Sequence, residues 1–382
     1  MKLPGNIPEE HRLRRKMTAQ CTLKETGWSN AARGSLEKLI RQGAGKGLPA
    51  VFDFDNTIVA GDIGEAVLAI LSRQKRITPK SICRTLCPPV RAGARRLTIA
   101  QCSDVMQYYE ALLSPTIHGD ADPTPLANGY VWATQALEDL SLHEITAATQ
   151  TAFELGLSGE QIRAGTRIYP APRFFEQVVE LIARLLNFDY QVWVVSASNV
   201  WSVRWMVAQG LNPLLNKHGA HSGIKPDQVI GVATLLSDRN GDLLKDSVLV
   251  RQNRAYAGLS GDWAGALRIT RHLQFPAPVY SGKVACILDA IGTNPYFCAG
   301  DSPSDHAMLR LSRHRLWFAR PDKPQSQKAT RDLIREFGDT GWILQNCFDT
   351  GGTNDFQQGS KHSRTLKTPK SPTSVTARPR PN

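Results

Sequence analysis

Short apolar runs and amphipathic stretches alternate through the middle of the chain. Four apolar runs have the length of buried strands: residues 48–52, 191–195, 296–299 and 315–319. Stretches with helical spacing of apolar side chains separate them, at residues 172–187, 283–291 and 304–311. Strands that alternate with helices in this way predict an α/β fold with a doubly wound, mainly parallel sheet.

Two further stretches predict additions to this sheet. Residues 229–236 and 243–250, joined by a polar turn at 238–241, have the pattern of a β-hairpin at its edge. Residues 62–168 form too long an interruption to be a loop, so we expect them to be an inserted, mainly helical cap domain. Helical spacing runs through 63–71 and 132–148, and the Pro-rich stretch 115–125 indicates a loop. The catalytic core would then comprise residues 48–61 and 169–350.

Polar side chains that could take part in catalysis lie at the ends of these strands and helices. Asp53 and Asp55 follow the first strand, Ser196 follows the second, and Lys283 opens a helix. The segment Gly300-Asp301-Ser302-Pro303-Ser304-Asp305 follows the third strand. Catalytic groups of doubly wound sheets gather at the carboxyl ends of the strands, so we expect these side chains to meet.

This set suits phosphoryl transfer through an aspartyl phosphate. A phosphomonoester dianion repels an attacking carboxylate, so an ammonium and a divalent cation must first offset the charge. Lys283 would supply the ammonium, and Asp53, the Asp55 carbonyl and Asp301 would hold Mg2+. Asp55 would protonate the leaving group and later take a proton from water, while Ser196 holds phosphoryl oxygens.

In order and in spacing, these four segments resemble the four motifs of the haloacid dehalogenase-like (HAD) hydrolase superfamily. The resemblance implies an Asp nucleophile, an Asp general acid/base, a phosphate-binding hydroxyl, a Lys and a metal-ligand Asp with a supporting carboxylate: Asp53, Asp55, Ser196, Lys283, Asp301 and Asp305. Dehalogenases of the superfamily lack the second Asp of the first motif. Its presence as Asp55 therefore favours phosphatase or phosphotransferase chemistry.

The insertion after the first motif resembles the helical cap of the phosphoserine phosphatase-like branch, and the motifs also resemble those of bacterial phosphorylcholine phosphatases. The resemblance implies that specificity residues lie in the cap and just after the first motif. Ser196 is followed by Ala197-Ser198 instead of the Gly-Gly typical of phosphoserine phosphatases. This departure weakens the inference that phosphoserine itself is the substrate.

Candidate substrate-binding residues are Thr57, Asp62, Glu65 and Ser196. The two acidic residues beside a phosphate site suggest an amine-bearing ester such as phosphocholine, phosphoserine or phosphoethanolamine, and cap aromatics could surround a quaternary ammonium: Tyr108, Tyr109, Tyr130 and Trp132. Alternatively, Asp62 caps a helix and the aromatics pack the cap. The basic residues between Arg73 and Arg96 could favour a more anionic substrate, or form a solvated cap face.

The charge is concentrated at the two ends of the chain. Of the net +12, residues 1–47 contribute ten Lys or Arg against four Glu, and residues 351–382 contribute six against one Asp. We interpret the first segment as a basic extension and the second, almost without apolar residues, as a disordered tail. No aromatic residues interleave with this charge in the manner of nucleic-acid-binding proteins, so a solubilising role is expected before polyanion binding.

The apolar runs and the cysteines indicate where in the cell the protein is expected. No apolar run has the roughly 20 residues that cross a bilayer, and no apolar stretch follows the N-terminal basic residues as in a secretory signal. We therefore expect a cytoplasmic protein, with its seven scattered cysteines reduced. The sequence predicts a Mg2+-dependent phosphomonoester hydrolase acting on a small metabolite. A phosphotransferase and a polyanion-binding protein that uses the basic tails remain as alternatives.

Overall fold

The computed structural model of the chain describes residues 21–92, 95–118, 129–259, 263–338 and 340–348. The first 20 residues of the predicted basic extension and the predicted disordered tail at 351–382 lie outside these ranges, as does part of the predicted loop at 115–125. From Cys21 onward, the N-terminal segment contributes buried side chains to the main hydrophobic core. None of the described helices is both long enough and apolar enough to cross a membrane.

The strands of the described residues fall into one large sheet and four small ones. In chain order they are β1 Pro49–Phe52, β2 Val59–Ala60, β3 Val90–Ala92, β4 Arg95–Leu97, β5 Gln161–Ala164, β6 Arg167–Pro170, β7 Arg173–Phe174, β8 Gln191–Asn199, β9 Val229–Val232, β10 Thr234–Ser237, β11 Leu243–Leu244, β12 Arg268–Leu273, β13 Phe297–Gly300, β14 His314–Ala319 and β15 Trp342–Asn346.

The helices of the described residues cover the large sheet and fill the insertion. They are α1 Asn30–Gly43, α2 Ile63–Arg73, α3 Val105–His118, α4 Gly129–Gln135, α5 Leu142–Ser158, α6 Glu176–Asn187, α7 Val200–Trp205, α8 Asn212–Lys217, α9 Asp246–Gln252, α10 Arg254–Ala257, α11 Trp263–Ala266, α12 Ser281–Ile291, α13 His306–Leu311 and α14 Pro324–Phe337. A π-helical turn, Met206–Leu211, joins α7 to α8.

The large sheet has six strands in the order β15-β14-β13-β1-β8-β9, and all its neighbouring strands are parallel. The chain runs outward from β1 to β8 and β9, then returns to the other side of β1 to build β13, β14 and β15. The predicted doubly wound α/β fold is therefore confirmed. In such a sheet the strand order reverses beside β1, and this is where ligands bind.

The insertion at 62–168 contains α2 to α5 and shares one hydrophobic core with the sheet. Val67 and Leu68 of α2, Trp132 of α4 and Leu142 of α5 belong to the same buried cluster as Val192 of β8. The insertion and the sheet therefore belong to one hydrophobic core.

Two predicted elements are corrected by the structure. The helix predicted at 132–148 is two helices, because Asp139 takes a positive φ of 69° and Ser141 starts α5 with a capping box to Glu144. The predicted strand at 243–250 is a strand for only two residues and then becomes α9. Asp246, at the start of this helix, forms a buried ion pair with Arg204, which fixes the segment against α7.

The other predicted elements differ mainly in their bounds. The helix predicted at 172–187 begins only at Glu176, because residues 173–174 pair with β2 as strand β7. The strand predicted at 229–236 divides into β9, which joins the large sheet, and β10, which joins β11 and β12 in a three-stranded sheet. The predicted hairpin is therefore limited to the short β10-β11 pair.

Helix α1 shows how tightly the N-terminal segment packs. Its apolar face, including Leu36 and Ile40, is buried, and the Tyr190 hydroxyl donates to the Leu39 carbonyl at 2.7 Å. Gly43 ends the helix directly against this hydroxyl, so an added Cβ would overlap the Tyr190 ring and oxygen. Gly34, on the exposed side of the same helix, has open space around it.

We expect Gly43→Ala to lower the free energy of unfolding by about 1–3 kcal/mol, because the tyrosine must shift. Gly34→Ala in the same helix is the matched control and should raise this free energy by about 0.5–1 kcal/mol, because alanine favours the helix. Urea denaturation followed by circular dichroism measures both. Equal effects of the two substitutions would show that α1 does not pack as described.

Candidate active site

Asp53 lies at the carboxyl end of β1, where the chain leaves the sheet in a tight turn. Its N–H donates to the Ala299 carbonyl of β13 at 3.0 Å, and Asn56 adopts a positive φ of 58° three residues before the chain returns as β2. The Phe54 carbonyl accepts hydrogen bonds from the N–H groups of Ile58 and Val59 at 2.8 and 3.1 Å. This turn holds the Asp53 side chain almost entirely buried at the carboxyl end of the central strand β1.

Lys283 lies in the first turn of α12 and brings an ammonium to this carboxylate. Its Nζ is 2.6 Å from Asp53 Oδ1 and 2.6 Å from Asp305 Oδ1, and all three side chains are buried. Burial by itself lowers the pKa of this lysine, but Asp305 and Asp53 outweigh it, so the net shift is upward. Lys283 therefore carries its positive charge throughout the physiological pH range.

Asp305 uses its second carboxylate oxygen to organise the loop after β13. Oδ2 accepts hydrogen bonds from the N–H groups of Asp301 and Ser302, both at 3.1 Å. Gly300 makes this close approach possible, since a Cβ at that position would lie 2.7–2.8 Å from the Asp305 side chain. Asp305 thus connects Lys283 to the loop that carries Asp301.

Asp55 is bound by two hydroxyls from the end of β8. Its Oδ2 accepts from Ser196 Oγ at 3.0 Å and from Ser198 Oγ at 2.7 Å, while its Oδ1 accepts from the Ile63 N–H at 2.8 Å. Burial, then the negative charges of Asp62 and Asp53, raise the pKa of Asp55 well above its usual value. A carboxyl group that retains its proton near neutral pH can act as a general acid.

Three of the predicted acidic residues form a cluster that suits a hard cation. Asp53, Asp301 and Asp305 each offer a carboxylate oxygen, and these atoms lie within 4.8 Å of one another. Burial, then Asp305, raise the pKa of Asp301, whose nearest cation is the guanidinium of Arg320 at 3.5 Å. An all-oxygen donor set of buried carboxylates is what Mg2+ prefers. Asp55 directs its carboxylate elsewhere, and its predicted contribution to the metal is its backbone carbonyl.

The remaining predicted residues line the rim of the site. The hydroxyl of Thr57 is buried and has no hydrogen-bond partner within the described ranges. Asp62 caps α2 by accepting from the Glu65 N–H at 2.8 Å, as the alternative interpretation expected. Burial, then Asp62 and Glu110, raise the pKa of Glu65 to about 8. The Glu65 carboxylate has no ion-pair partner among the residues that the structure describes.

A small cavity of about 10 Å³ lies between the end of β8 and the insertion. Its walls include Asp62, Tyr109, Tyr130 and Ser198. The other two predicted aromatics are not on its lining: Tyr108 donates to the Pro88 carbonyl at 2.6 Å and packs against Trp132. Because Ser198 contacts both this cavity and Asp55, the cavity lies one side chain away from the candidate general acid. We call it the leaving-group pocket.

Sequence reasoning missed two residues of the site. Ser198 returns to the same face of β8 as Ser196, a two-residue spacing that was visible in the sequence. Arg320 directly follows β14 and bridges Asp301 and Asp322 at 3.5 and 2.9 Å. Its position at a strand end was the available signal, but the partner carboxylate is supplied by a different strand.

The chain is similar in sequence and in fold to known proteins. No family model matches the chain. The chain is 29% identical over 293 residues to phosphorylcholine phosphatase from Pseudomonas aeruginosa, covering 74% of the chain and 76% of the relative. The predicted resemblance to bacterial phosphorylcholine phosphatases is confirmed.

Solved structures with low identity support the fold. A conserved protein of unknown function from Anaerococcus prevotii has 16% identity and a TM-score of 0.57, covering 86% of this chain and 97% of that one. A HAD family hydrolase from Salmonella enterica serovar Typhi has 11% identity and a TM-score of 0.39, covering 85% and 77%. The first shows the fold alone, and the second is too distant to carry further weight.

We expect Asp305→Ala to lower the free energy of unfolding by about 3–5 kcal/mol, because it leaves the buried ammonium with one partner fewer. The exposed Asp322→Ala is the matched control and should change this value by less than about 0.5 kcal/mol. Guanidinium denaturation in the presence of EDTA measures both without a contribution from bound metal. Similar losses in the two variants would contradict the scaffold role of Asp305.

Proposed function

We propose that the protein is a Mg2+-dependent phosphomonoester hydrolase that works through an aspartyl phosphate on Asp53. The observation that carries the proposal is the pairing of a buried Asp53 with Lys283, beside a half-buried Asp55 whose hydrogen-bond partner Ser198 lines a separate pocket. The likeness to phosphorylcholine phosphatase supports a phosphatase over the other chemistries of such folds.

In the first half-reaction, an Asp53 carboxylate oxygen attacks phosphorus and the bond from phosphorus to the leaving oxygen breaks. The leaving oxygen takes the proton of Asp55, whose raised pKa keeps that proton available. Lys283 holds Asp53 in place and offsets the charge that repels the phosphate. The products of this step are the free alcohol and the phosphorylated Asp53.

In the second half-reaction, water attacks the phosphorylated Asp53. Asp55, now ionised, accepts a proton from this water, and the bond between phosphorus and the Asp53 oxygen breaks to release phosphate. Mg2+ held by Asp53, the Asp55 carbonyl and Asp301 would supply electrostatic stabilisation of the phosphoryl oxygens. We propose that Thr57, whose buried hydroxyl lacks a partner within the described ranges, donates to the bound phosphate.

The rim of the site favours a cationic leaving group. Asp62 lines the leaving-group pocket together with Tyr109 and Tyr130, which would supply aromatic surface, and Glu65 interacts electrostatically with all three. We propose a small amine-bearing phosphate as the substrate, with phosphocholine, phosphoethanolamine and phosphoserine as the esters to examine. The insertion, packed over the site, would act as a cap that excludes bulk water during transfer.

We expect release of phosphate from one of these esters or from a sugar phosphate, dependent on Mg2+ and abolished by EDTA. Asp53→Asn should lower kcat by about a thousandfold or more, because it removes the nucleophile. Asp55→Asn should lower it by about 10²- to 10⁴-fold. The exposed Asp322→Asn is the control and should retain activity. Release that requires an added alcohol acceptor would instead identify a phosphotransferase.

We also expect the KM for phosphocholine to fall as the pH rises through about 8. Glu65 is neutral below its raised pKa of about 8 and becomes a carboxylate above it, and only the carboxylate attracts the permanently charged ammonium. Steady-state kinetics between pH 6.5 and 9 measure the effect.

The control for this profile is Glu65→Gln, which should remove the component due to Glu65 and leave a flatter dependence. The titratable and charged groups that interact electrostatically with Glu65 are Asp62, Tyr109, Glu110, Tyr130, Tyr169, Arg320 and Lys323. Identical profiles for the wild type and the variant would exclude Glu65 from ammonium binding.

A further inference from the structure

Helix α4 forms one wall of the leaving-group pocket, yet it has only seven residues. Tyr130, Ala133 and Thr134 of this helix line the pocket, and Leu137 follows just after its end. Helices this short are not stable by themselves, so contacts from other elements must set the position of the wall. The shape of the pocket therefore depends on the contacts that α4 and the residues after it make with other elements.

Strand β12 supplies those contacts through its backbone. The Asp139 N–H donates to the Ile269 carbonyl at 2.9 Å, and the Ile269 N–H donates to the Leu140 carbonyl at 2.9 Å. The side-chain amide of Gln135, the last residue of α4, donates to the Arg271 carbonyl at 2.8 Å. The residues that follow α4 thus pair with β12 almost as an added strand.

Two arginines of β12 reinforce this pairing with ion pairs. Arg271 Nε lies 2.6 Å from Glu138 Oε1, and Arg268 Nη1 lies 3.3 Å from Glu144 Oε2. The two glutamates flank the turn between α4 and α5. Arg271 also donates to the Cys83 sulfur at 2.8 Å, so it contacts the insertion at two separate points.

The chain that leaves β12 also packs on α4 before it reaches the catalytic lysine. Val131 of α4 is buried in one small cluster with Ala277 and Val279. Lys283 follows four residues later, in the first turn of α12. One continuous segment, from β12 to Lys283, therefore connects the wall of the leaving-group pocket with the ammonium that holds the nucleophile.

We propose that Arg271, with Arg268, is a positioning residue for the leaving-group wall: these side chains of β12 hold α4 in place and so determine which leaving groups the enzyme accepts. The specificity of the site is then set partly from outside the 62–168 insertion, by a segment that lies between Ser196 and Lys283 in the sequence. This inference rests on the proposed function, because it assigns the pocket to the leaving alcohol.

The test combines kinetics with hydrogen exchange on the full chain loaded with Mg2+. In Arg268→Ala/Arg271→Ala we expect KM for the preferred ester to rise about three- to tenfold, since two partly exposed pairs are lost. We expect kcat to change less than about twofold, because Asp53 and Asp55 are untouched. Amides of residues 129–142 should exchange about two- to fivefold faster, while those of β15 serve as an internal reference.

Two matched variants separate positioning from general damage. His272→Ala, an exposed neighbour on the same strand, should leave both KM and exchange unchanged. Arg271→Glu should reproduce the KM increase, and adding Glu138→Arg should restore it, because the swapped charges can pair again. Restoration by the swap would not occur if Arg271 acted only through overall stability.

The outcomes also distinguish this inference from the proposed function. Unchanged KM and unchanged exchange in the double arginine variant would overturn the positioning role, even if the wild type is an active phosphatase. If the wild type hydrolyses no ester, the proposed function fails and with it the assignment of the pocket. Faster exchange confined to 129–142 would then still show that β12 holds α4.

Discussion

The concentration of negative charge at one edge of the sheet is the constraint on which the rest of the structure depends. Asp53, Asp301 and Asp305 are buried there and Asp55 is half-buried, and burial raises the pKa of Asp53, Asp55 and Asp301. Their mutual repulsion could not be tolerated without fixed positive charge and hydrogen-bond donors. Lys283 supplies the charge at 2.6 Å from two of the carboxylates. Hydrogen-bond donors supply further stabilisation: backbone N–H groups donate to Asp305, and serine hydroxyls donate to Asp55.

The parallel sheet makes this arrangement possible because it brings distant segments of the chain to one edge. Asp53 leaves β1 between its two neighbours, β8 with the serines on one side and β13 with the acidic loop on the other. The buried strands anchor the loops that carry these groups. Asp305 holds the loop that carries Asp301 by two backbone hydrogen bonds.

The inserted helices and the segment around β12 complete the site on the side of the leaving-group pocket. They are separated in sequence by the helices and strands that carry Ser196, but they meet at the turn after α4 through paired backbone groups and two ion pairs. Because the insertion also shares the hydrophobic core of the sheet, its position over Asp55 is determined by many contacts at once. The leaving-group pocket is therefore a product of three separate parts of the chain.

The sequence by itself determined the fold class and the candidate catalytic groups, because an apolar run followed by a carboxylate is a local pattern. Asp53, Asp55, Ser196, Lys283 and Asp301 were all identifiable from their places at predicted strand ends and helix starts. Only the tertiary structure decided which groups pair. Three features depend on partners far away along the chain: Ser198 binds Asp55, Arg320 contacts Asp301, and residues 246–252 are helical. Such contacts leave no periodic trace in the sequence, since their energies come from burial and charge pairing that exist only once the chain has folded.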